Sequence, residues 1–189
     1  MLPLDVMKSY DSALFCKEAT VKENNKVIIK INGREHVFFI GEGAGQLPAS
    51  QTLAETLRGM LLLTGTKTPC NKGACGGCTI LMDGIPTLAC SNLTVECDGK
   101  EIVTVEGLRD PVTGALHPVQ QAFIDIDAIQ CGMCTPGMVI SGVALLRKNH
   151  HPTREEVAEA ISGNICRCTG YVKYIDGILL AAERMYGEE

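Results

Sequence analysis

Cysteine is the residue that most constrains this chain, because eight of its ten cysteines fall into two separate groups of four. One group lies in each half of the sequence: Cys70, Cys75, Cys78 and Cys90, then Cys131, Cys134, Cys166 and Cys168. Four thiolates are a common ligand set for one metal centre. We therefore expect the chain to carry two metal centres.

The spacing within the groups favours iron-sulfur clusters. The first group reads C-x4-C-x2-C followed by a fourth cysteine, which is typical of plant-type [2Fe-2S] ferredoxins. The second group opens with C-x2-C and closes with C-x-C. Structural zinc also uses C-x2-C pairs, so zinc stays an alternative for both groups. Clusters would make the chain a carrier of single electrons.

Composition narrows the kinds of partner, and the cellular compartment, that we expect for this chain. A net charge of −5 disfavours a nucleic-acid partner, because neutralising phosphates requires clustered Lys and Arg. No apolar run approaches the length of a membrane span, and the first twenty-five residues lack a secretory layout. We therefore expect a cytoplasmic location, where cysteines serve as metal ligands more readily than as disulfides.

Two β-hairpins are predicted around the first cysteine group. The runs 27–31 and 35–40 are joined by Asn32-Gly33, and the run 79–89 turns at Asp83-Gly84, both of which suit two-residue hairpin turns. If Met82 pairs with Ile85 in the second hairpin, Cys78 lies across from residue 89. Cys90 is then folded back beside the other three thiols.

The rest of the first half completes an α+β arrangement. A capping box, Thr52-x-x-Glu55, predicts a helix before the cysteine loop. Pro86 removes one ladder donor, so its hairpin should sit at a sheet edge, and 102–105 reads as a last short strand. About five short strands on one helix is the arrangement of a β-grasp ferredoxin domain. The predicted apolar face of the helix is Leu53, Leu57, Met60 and Leu61.

The sequence of the second half predicts a small helical bundle. Asp110-Pro111 and Gly114 mark the linker that precedes it. Four helices are expected, one starting near Pro118, one from Thr135-Pro136 to about Lys148, one from a capping box at Thr153-x-x-Glu156 to Gly163, and one after Thr169. The last should present Val172, Ile175, Leu179, Ala182 and Met185 on one face. Cys166 and Cys168 should lie in irregular backbone, since residues two apart on a helix diverge.

Glycines are expected to help the thiols hold a charged cluster. They allow backbone amides to approach sulfur without a Cβ clash, and helix N-termini after Cys134 and Cys168 add favourable dipoles. The glycines concerned are Gly73, Gly76, Gly77 and Gly132.

Three other features are given ordinary structural interpretations. Gly41-x-Gly43-x-Gly45 is read as a loop, because Gln46 replaces the third glycine of a dinucleotide-binding motif. His150-His151 is read as a solvated pair at a helix end, and Cys16 and Cys97 as inert thiols.

Four segments closely resemble the iron-sulfur subunit of the molybdenum hydroxylases, the xanthine dehydrogenase family. The resemblance runs from about Val27 to Tyr186, although Asn71 stands where an acidic residue is frequent and the first twenty-five residues are additional. The combination of both cysteine groups in this order is highly specific. The segments are residues 63–67 (LTGTK), 70–78 (CNKGACGGC), 130–138 (QCGMCTPGM) and 163–171 (GNICRCTGY).

The resemblance implies roles for individual residues. The first cysteine group would bind an outer [2Fe-2S] cluster, and the second an inner one. Gln130 and Cys168 would approach a molybdopterin held by a large separate subunit. Electrons released by hydroxylation of a substrate at molybdenum would pass singly through both clusters, usually to an FAD-binding medium subunit. This chain would have no catalytic residue of its own.

The expected organisation is an N-terminal extension (1–25), a ferredoxin-like β-grasp domain (26–108), a linker (109–116) and a four-helix-bundle [2Fe-2S] domain (117–189). Two alternatives stay open from the sequence: a free-standing two-cluster carrier and a zinc-stapled interaction module. Because the substrate would be bound elsewhere, this chain does not identify it.

Overall fold

The computed structural model describes residues 25–187 and has an α+β architecture of one mixed sheet and several helices. The strands are β1 (Lys26–Ile31), β2 (Arg34–Phe39), β3 (Thr79–Met82), β4 (Ile85–Leu88) and β5 (Glu101–Val103). The helices are α1 (Leu53–Glu55), α2 (Pro118–Asp125), α3 (Thr135–Leu146), α4 (Arg154–Ala160) and α5 (Val172–Tyr186). A π-helical turn (Thr56–Met60) continues α1, and 3-10 turns span Ala89–Ser91, Thr94–Cys97 and Val105–Leu108.

The sheet has the order β2-β1-β5-β3-β4, in which β1 and β5 are parallel and the other neighbours antiparallel. Both predicted hairpins are confirmed. Asn32 and Gly33 take positive φ angles of 50° and 79°, as a primed two-residue turn requires. Pro86 lies on β4, an edge strand, as predicted. The last strand ends at Val103, where a 3-10 turn soon follows.

The helix before the cysteine loop is shorter than predicted. The capping box is present, since Thr52 Oγ1 accepts from Glu55 N and Glu55 accepts from Thr52 N. After one turn of α-helix the backbone continues as a wider π-helical turn, because Leu61 N donates to Thr56 O five residues back. The widened turn changes the helical phase. The prediction that Met60 shares the buried face of Leu53 and Leu57 is therefore wrong, since Met60 is exposed.

Two hydrophobic clusters meet at β3. Ile80 belongs to the cluster formed by β1, β5 and α1, whereas Leu81 belongs to the cluster formed by the helices of the second half. Successive residues of a strand point to opposite faces, so β3 is buried on both sides. The second face, which contacts α3, was not predicted from the sequence. The two halves thus share a packed contact as well as the covalent connection.

The helices of the second half begin close to their predicted positions. Pro118 is the first residue of α2, and the capping box at Thr153 opens α4. At α3 the N-cap is Cys134, and Thr135 is the first helical residue.

The predicted apolar face of α5 is confirmed in part, since Ala182 is buried and Ile175, Leu179 and Met185 pack against the core. Tyr174, Ile178 and Ala181 are buried, whereas Val172 is 54% exposed. Tyr171 takes a left-handed conformation with φ of 69° immediately before the helix, which sets the rotation of α5 relative to the core. Within residues 25–187, no helix combines the length and apolarity needed to cross a bilayer.

Candidate metal centres

The outer thiols, Cys70, Cys75, Cys78 and Cys90, are gathered by one loop and one hairpin. Three lie in the irregular segment between the π-helical turn and β3, and Cys90 follows β4. Met82 pairs with Ile85, and Ala89 N donates to Cys78 O at 3.2 Å. The predicted register is therefore confirmed, and it returns Cys90 to the side of Cys78.

The outer thiols lie close together in pairs. Cys75 lies close enough to Cys70, and Cys90 close enough to Cys78, to affect the pKa of that thiol. Cys75 also lies close enough to Cys78 for its charge to affect that thiol.

Backbone amides surround the outer sulfurs. Lys72 N donates to Cys70 Sγ at 3.4 Å, and Gly73 N donates to Cys90 Sγ at 3.3 Å. The hydrogen bond from Lys72, assisted by other amides of the loop and by Cys75, lowers the pKa of Cys70 to about 6. Burial instead raises the pKa of Cys78 to about 11. A metal bound by Cys78 would have to displace its proton, whereas the lowered pKa of Cys70 favours the thiolate that a metal binds.

Two glycines of this loop make close backbone contacts. Gly76 takes φ of 69°, and a Cβ there would lie 2.5 Å from Gly163 O. A Cβ on Gly77 would lie 2.7 Å from Pro69. In the second half Gly132 takes φ of 78°, but a Cβ there would meet open space. Of these glycines and Gly73, only the N–H of Gly73 is seen to donate to sulfur in the described residues.

The inner thiols, Cys131, Cys134, Cys166 and Cys168, come from two segments. Cys131 and Cys134 immediately precede α3, and the other two lie between α4 and α5 in irregular backbone, as predicted. They also form pairs. Cys131 and Cys168 are exposed with sulfurs 3.5 Å apart, and Cys134 and Cys166 are buried and lie close enough to affect each other's pKa.

Side-chain hydroxyls approach the two buried inner sulfurs. Tyr174 Oη lies 3.3 Å from Cys134 Sγ and 3.0 Å from Thr135 Oγ1, and Thr169 Oγ1 lies 3.2 Å from Cys166 Sγ. Burial raises the pKa of Cys134 to about 11, with the Tyr174 hydroxyl opposing the rise. Burial acts in the same direction on Cys166, but hydrogen bonds led by Thr169 outweigh it and lower that pKa.

The two groups of thiols adjoin. A cavity of about 230 Å³ is lined by all four inner cysteines and by Cys75 of the outer group. Two inner thiols face the surface, with Gln130 exposed beside them. The inner group therefore adjoins Cys75 of the outer group and has two of its own thiols at the surface.

Pairs of thiols suit a two-iron cluster. Among residues 25–187, no three Cys, His, Asp or Glu side chains converge as the ligands of one metal ion would. A [2Fe-2S] cluster takes two thiolates on each iron, so it requires two adjacent pairs, and hydrogen bonds to the sulfurs offset its negative charge. Both groups offer paired thiols together with N–H or O–H donors, so the residues present fit such a cluster.

Other features interpreted from the sequence lie away from the thiols. Cys97 is buried and its thiol donates to Leu93 O, in agreement with an inert role, and burial raises its pKa to about 11. The 41–50 segment is a loop in which Gln46 accepts from Gly43 N. His150 stacks on Tyr186 at 4.0 Å, a contact not predicted from the sequence. The assignment of Cys16 lies outside the described residues.

Three residues close to the thiols were missed by sequence reasoning. Tyr174 and Thr169 contact inner sulfurs, and Asn164 connects the two cysteine loops. Tyr174 falls within an apolar helical pattern, where it looks like an ordinary core residue. The position of Asn164 beside the C-x-C motif was the one available signal.

Known proteins resemble this chain over most of its length. A family of [2Fe-2S] binding domains matches residues 104–179, which contain all four inner cysteines. The small subunit of nicotine 6-hydroxylase from Paenarthrobacter nicotinovorans is 45% identical over 154 residues, which are 82% of this chain and 87% of that protein. The small FeS subunit of nicotinate dehydrogenase from Eubacterium barkeri is 42% identical over 135 residues, 71% of this chain and 85% of that protein.

The chain belongs to the iron-sulfur small subunits of the molybdenum hydroxylases. In the crystal structure of quinoline 2-oxidoreductase from Pseudomonas putida 86, a chain with 41% identity superposes with a TM-score of 0.76, covering 87% of this chain and 98% of that one. The resemblance inferred from the cysteine motifs is confirmed. Membership as an oxidoreductase subunit favours electron transfer within an enzyme over the free-standing carrier.

Proposed function

We propose that this chain holds two [2Fe-2S] clusters in series and conducts single electrons between a molybdopterin centre on a large partner subunit and an acceptor, an FAD-binding medium subunit. One observation carries the proposal: Cys75 of the outer group lines the same cavity as the four inner thiols. A bound [2Fe-2S] cluster accepts and releases one electron at a time. Adjacent sites within one chain allow an electron to cross between them without a diffusing carrier.

The proposed ligands of the outer cluster are the pairs Cys70 with Cys75 and Cys78 with Cys90. Those of the inner cluster are the pairs Cys131 with Cys168 and Cys134 with Cys166. Supporting these sets, the sulfurs of Cys131 and Cys168 lie 3.5 Å apart, and the thiols of the other three pairs lie close enough to affect the pKa of a partner. The loop amides near Cys70 and the hydroxyls near Cys134 would stabilise the negative charge of the ligating sulfurs.

The large subunit is proposed to dock at the exposed face of the inner site. Cys131, Cys168 and Gln130 are exposed there, and two large apolar side chains, Met133 and Ile165, are exposed beside them. Exposed apolar residues around a polar centre are characteristic of interaction surfaces. Gln130 and Cys168 would then face the pterin directly.

The finer organisation follows the same proposal. We assign residues 26–108 to a β-grasp ferredoxin-like domain, 109–116 to a linker and 117–189 to a four-helix bundle, with 1–25 as an extension. Separate hydrophobic clusters in the two halves support this division. A cytoplasmic location is proposed from the reducing conditions that the thiols require.

Isolation of the native complex tests the function. An affinity tag on this chain should recover a large subunit, and elemental analysis should find molybdenum together with about four irons for each copy of this chain. Substrate added under anaerobic conditions should then bleach the visible absorbance of the clusters. Recovery of this chain alone, with zinc in place of iron, would contradict the proposal.

A further inference from the structure

One buried side chain connects the two cysteine loops. Asn164 is 3% exposed and lies two residues before Cys166. Its Nδ2 donates to Gly76 O at 2.9 Å and lies 3.4 Å from Thr79 Oγ1, while its Oδ1 accepts from Ser141 Oγ at 2.8 Å. Both ends of the amide are therefore used, one toward the outer loop and the other toward α3.

The backbones of the two loops also touch around this amide. Ile165 directly precedes the proposed inner ligand Cys166. Its N–H donates at 2.9 Å to the carbonyl oxygen of Cys75, a proposed outer ligand. A Cβ on Gly137 would lie 2.2 Å from Gly76 O, so α3 approaches the outer loop without an intervening side chain. The contact is narrow, and a small displacement of Gly76 would change it.

We infer that Asn164 is a positioning residue that fixes the separation of the two clusters, by holding the Gly76 carbonyl against the backbone that leads to Cys166. The inference rests on the proposed function. Transfer of one electron oxidises the inner cluster and reduces the outer one, with no proton or other reactant. Electronic and magnetic coupling between the two clusters fall steeply with distance, so the contact between the two cysteine loops controls both.

Burial makes this amide a strong constraint. A buried hydrogen-bonding group that loses its partner has no water to replace it, so an arrangement that satisfies both ends of Asn164 is favoured over displaced ones. The two ends have different consequences. The Gly76 bond acts on the outer cysteine loop, whereas the Ser141 bond reaches only α3.

The variant Asn164→Asp separates these roles. It keeps the size of the side chain and an acceptor for Ser141, but in its ionised form it replaces the donor to Gly76 O with an oxygen that repels that carbonyl. Because burial favours the protonated carboxyl, whose O–H could still donate to Gly76 O, the spectra are compared at alkaline pH. Ser141→Ala is the matched control, because it removes the bond to α3 and leaves the Gly76 bond intact. Both variants are prepared in the native complex, and iron content is measured first.

The readout is the spin-spin splitting of the two cluster EPR signals in fully reduced protein at low temperature. We expect a resolved splitting in the native complex, at least a halving in Asn164→Asp and little change in Ser141→Ala. An unchanged splitting in Asn164→Asp with full iron content would overturn the inference, as would the absence of splitting in a native complex that holds both clusters.

If Asn164→Asp loses iron, Gly137→Ala decides the question. Its Cβ would lie 2.2 Å from Gly76 O and 2.8 Å from Asn164 Nδ2, so it must displace this hydrogen bond while the chemical identity of both partners is kept; a reduced splitting supports the inference and an unchanged one refutes it. A native complex without two clusters would refute the proposed function instead. The two failures are therefore distinguished before any variant is examined.

Discussion

The outer and inner thiols are held in different ways. Three outer cysteines occupy one nine-residue stretch, and the sulfurs of Cys70 and Cys90 receive backbone N–H groups of Lys72 and Gly73. The inner cysteines come from segments separated by α3 and α4, and their buried sulfurs are approached by the side-chain hydroxyls of Tyr174 and Thr169. Each site also has a donor of the other kind, Ser91 Oγ at 3.7 Å from Cys90 Sγ and Thr169 N at 3.5 Å from Cys166 Sγ. The main difference is that the outer site is assembled by one loop and one hairpin, whereas the inner site depends on helices packed together.

This difference shows where substitution can adjust each site. A backbone donor remains when the side chain is changed, so the outer hydrogen bonds depend on loop conformation. A hydroxyl donor is removed by a single substitution. The inner site should therefore be the more sensitive both to changes in the helical core and to conservative replacement of hydroxyl-bearing residues.

The largest expected effect is the selective loss of one site. Cys134→Ser removes a buried inner ligand, so the iron content should fall from about four to about two per chain while the outer EPR signal remains. Cys97→Ser, also at a buried cysteine, is the control and should retain all the iron. Loss of both signals in Cys134→Ser would show that the two sites are not separable.

Truncation of the helical core should act on the inner site alone. Phe123 is buried with its ring centroid 5.1 Å from that of Tyr174, so Phe123→Ala should destabilise the second half by about 3–5 kcal/mol. The inner EPR signal should be lost at a lower temperature than the outer one. Leu57→Ala, in the core of the first half, should reverse the order. Loss of the two EPR signals in the same order in both variants would contradict the proposed difference between the two sites.

A smaller effect is expected from removing one hydroxyl. Tyr174→Phe deletes the hydroxyl that donates to Cys134 Sγ. That hydrogen bond favours the reduced cluster, which is the more negative state, so its loss should lower the reduction potential of the inner cluster. A hydrogen bond of about 0.5–1.5 kcal/mol corresponds to roughly 20–60 mV for one electron. Potentiometric titration followed by EPR measures both sites, with Tyr186→Phe as the control. A shift of the outer potential instead would contradict the assignment of Tyr174.

The smallest expected effect concerns how the stability of the second half depends on pH. His117 caps α2 by accepting from Val119 N through Nδ1, and burial, with the nearby charge of Arg147, lowers its pKa below the ordinary 6.5. The unfolded chain then binds more protons than the folded one, so stability falls as the pH drops below 6.5.

His117→Asn provides a cap that does not titrate. The thermal midpoint of the second half, followed by circular dichroism, should therefore decline less in the variant than in the natural chain between pH 6.5 and 5. Parallel declines in the two proteins would show that His117 does not contribute.

Sequence reasoning recovered the outer site better than the inner one. The position of Cys90 followed from the turn at Asp83-Gly84, because a two-residue hairpin fixes the register of its strands. The irregular backbone around Cys166 was also predicted. The contact of Tyr174 with Cys134 joins residues 40 positions apart, and no local pattern encodes it.

The one error in the predicted face of α5 has a related cause. Of the apolar residues chosen from the sequence only Val172 is exposed, and the centre of the buried face lies one step around the helix, at Tyr174 and Ile178. The left-handed Tyr171 sets the direction in which α5 begins, and a helical periodicity does not specify that rotation. Long-range packing therefore had to be observed.

Iron and acid-labile sulfide, measured on anaerobically purified native protein, test the central claim most directly. The account predicts about four of each per chain, because each cysteine group is expected to hold two irons and two sulfides. Two or fewer irons, or zinc with no sulfide, would contradict it.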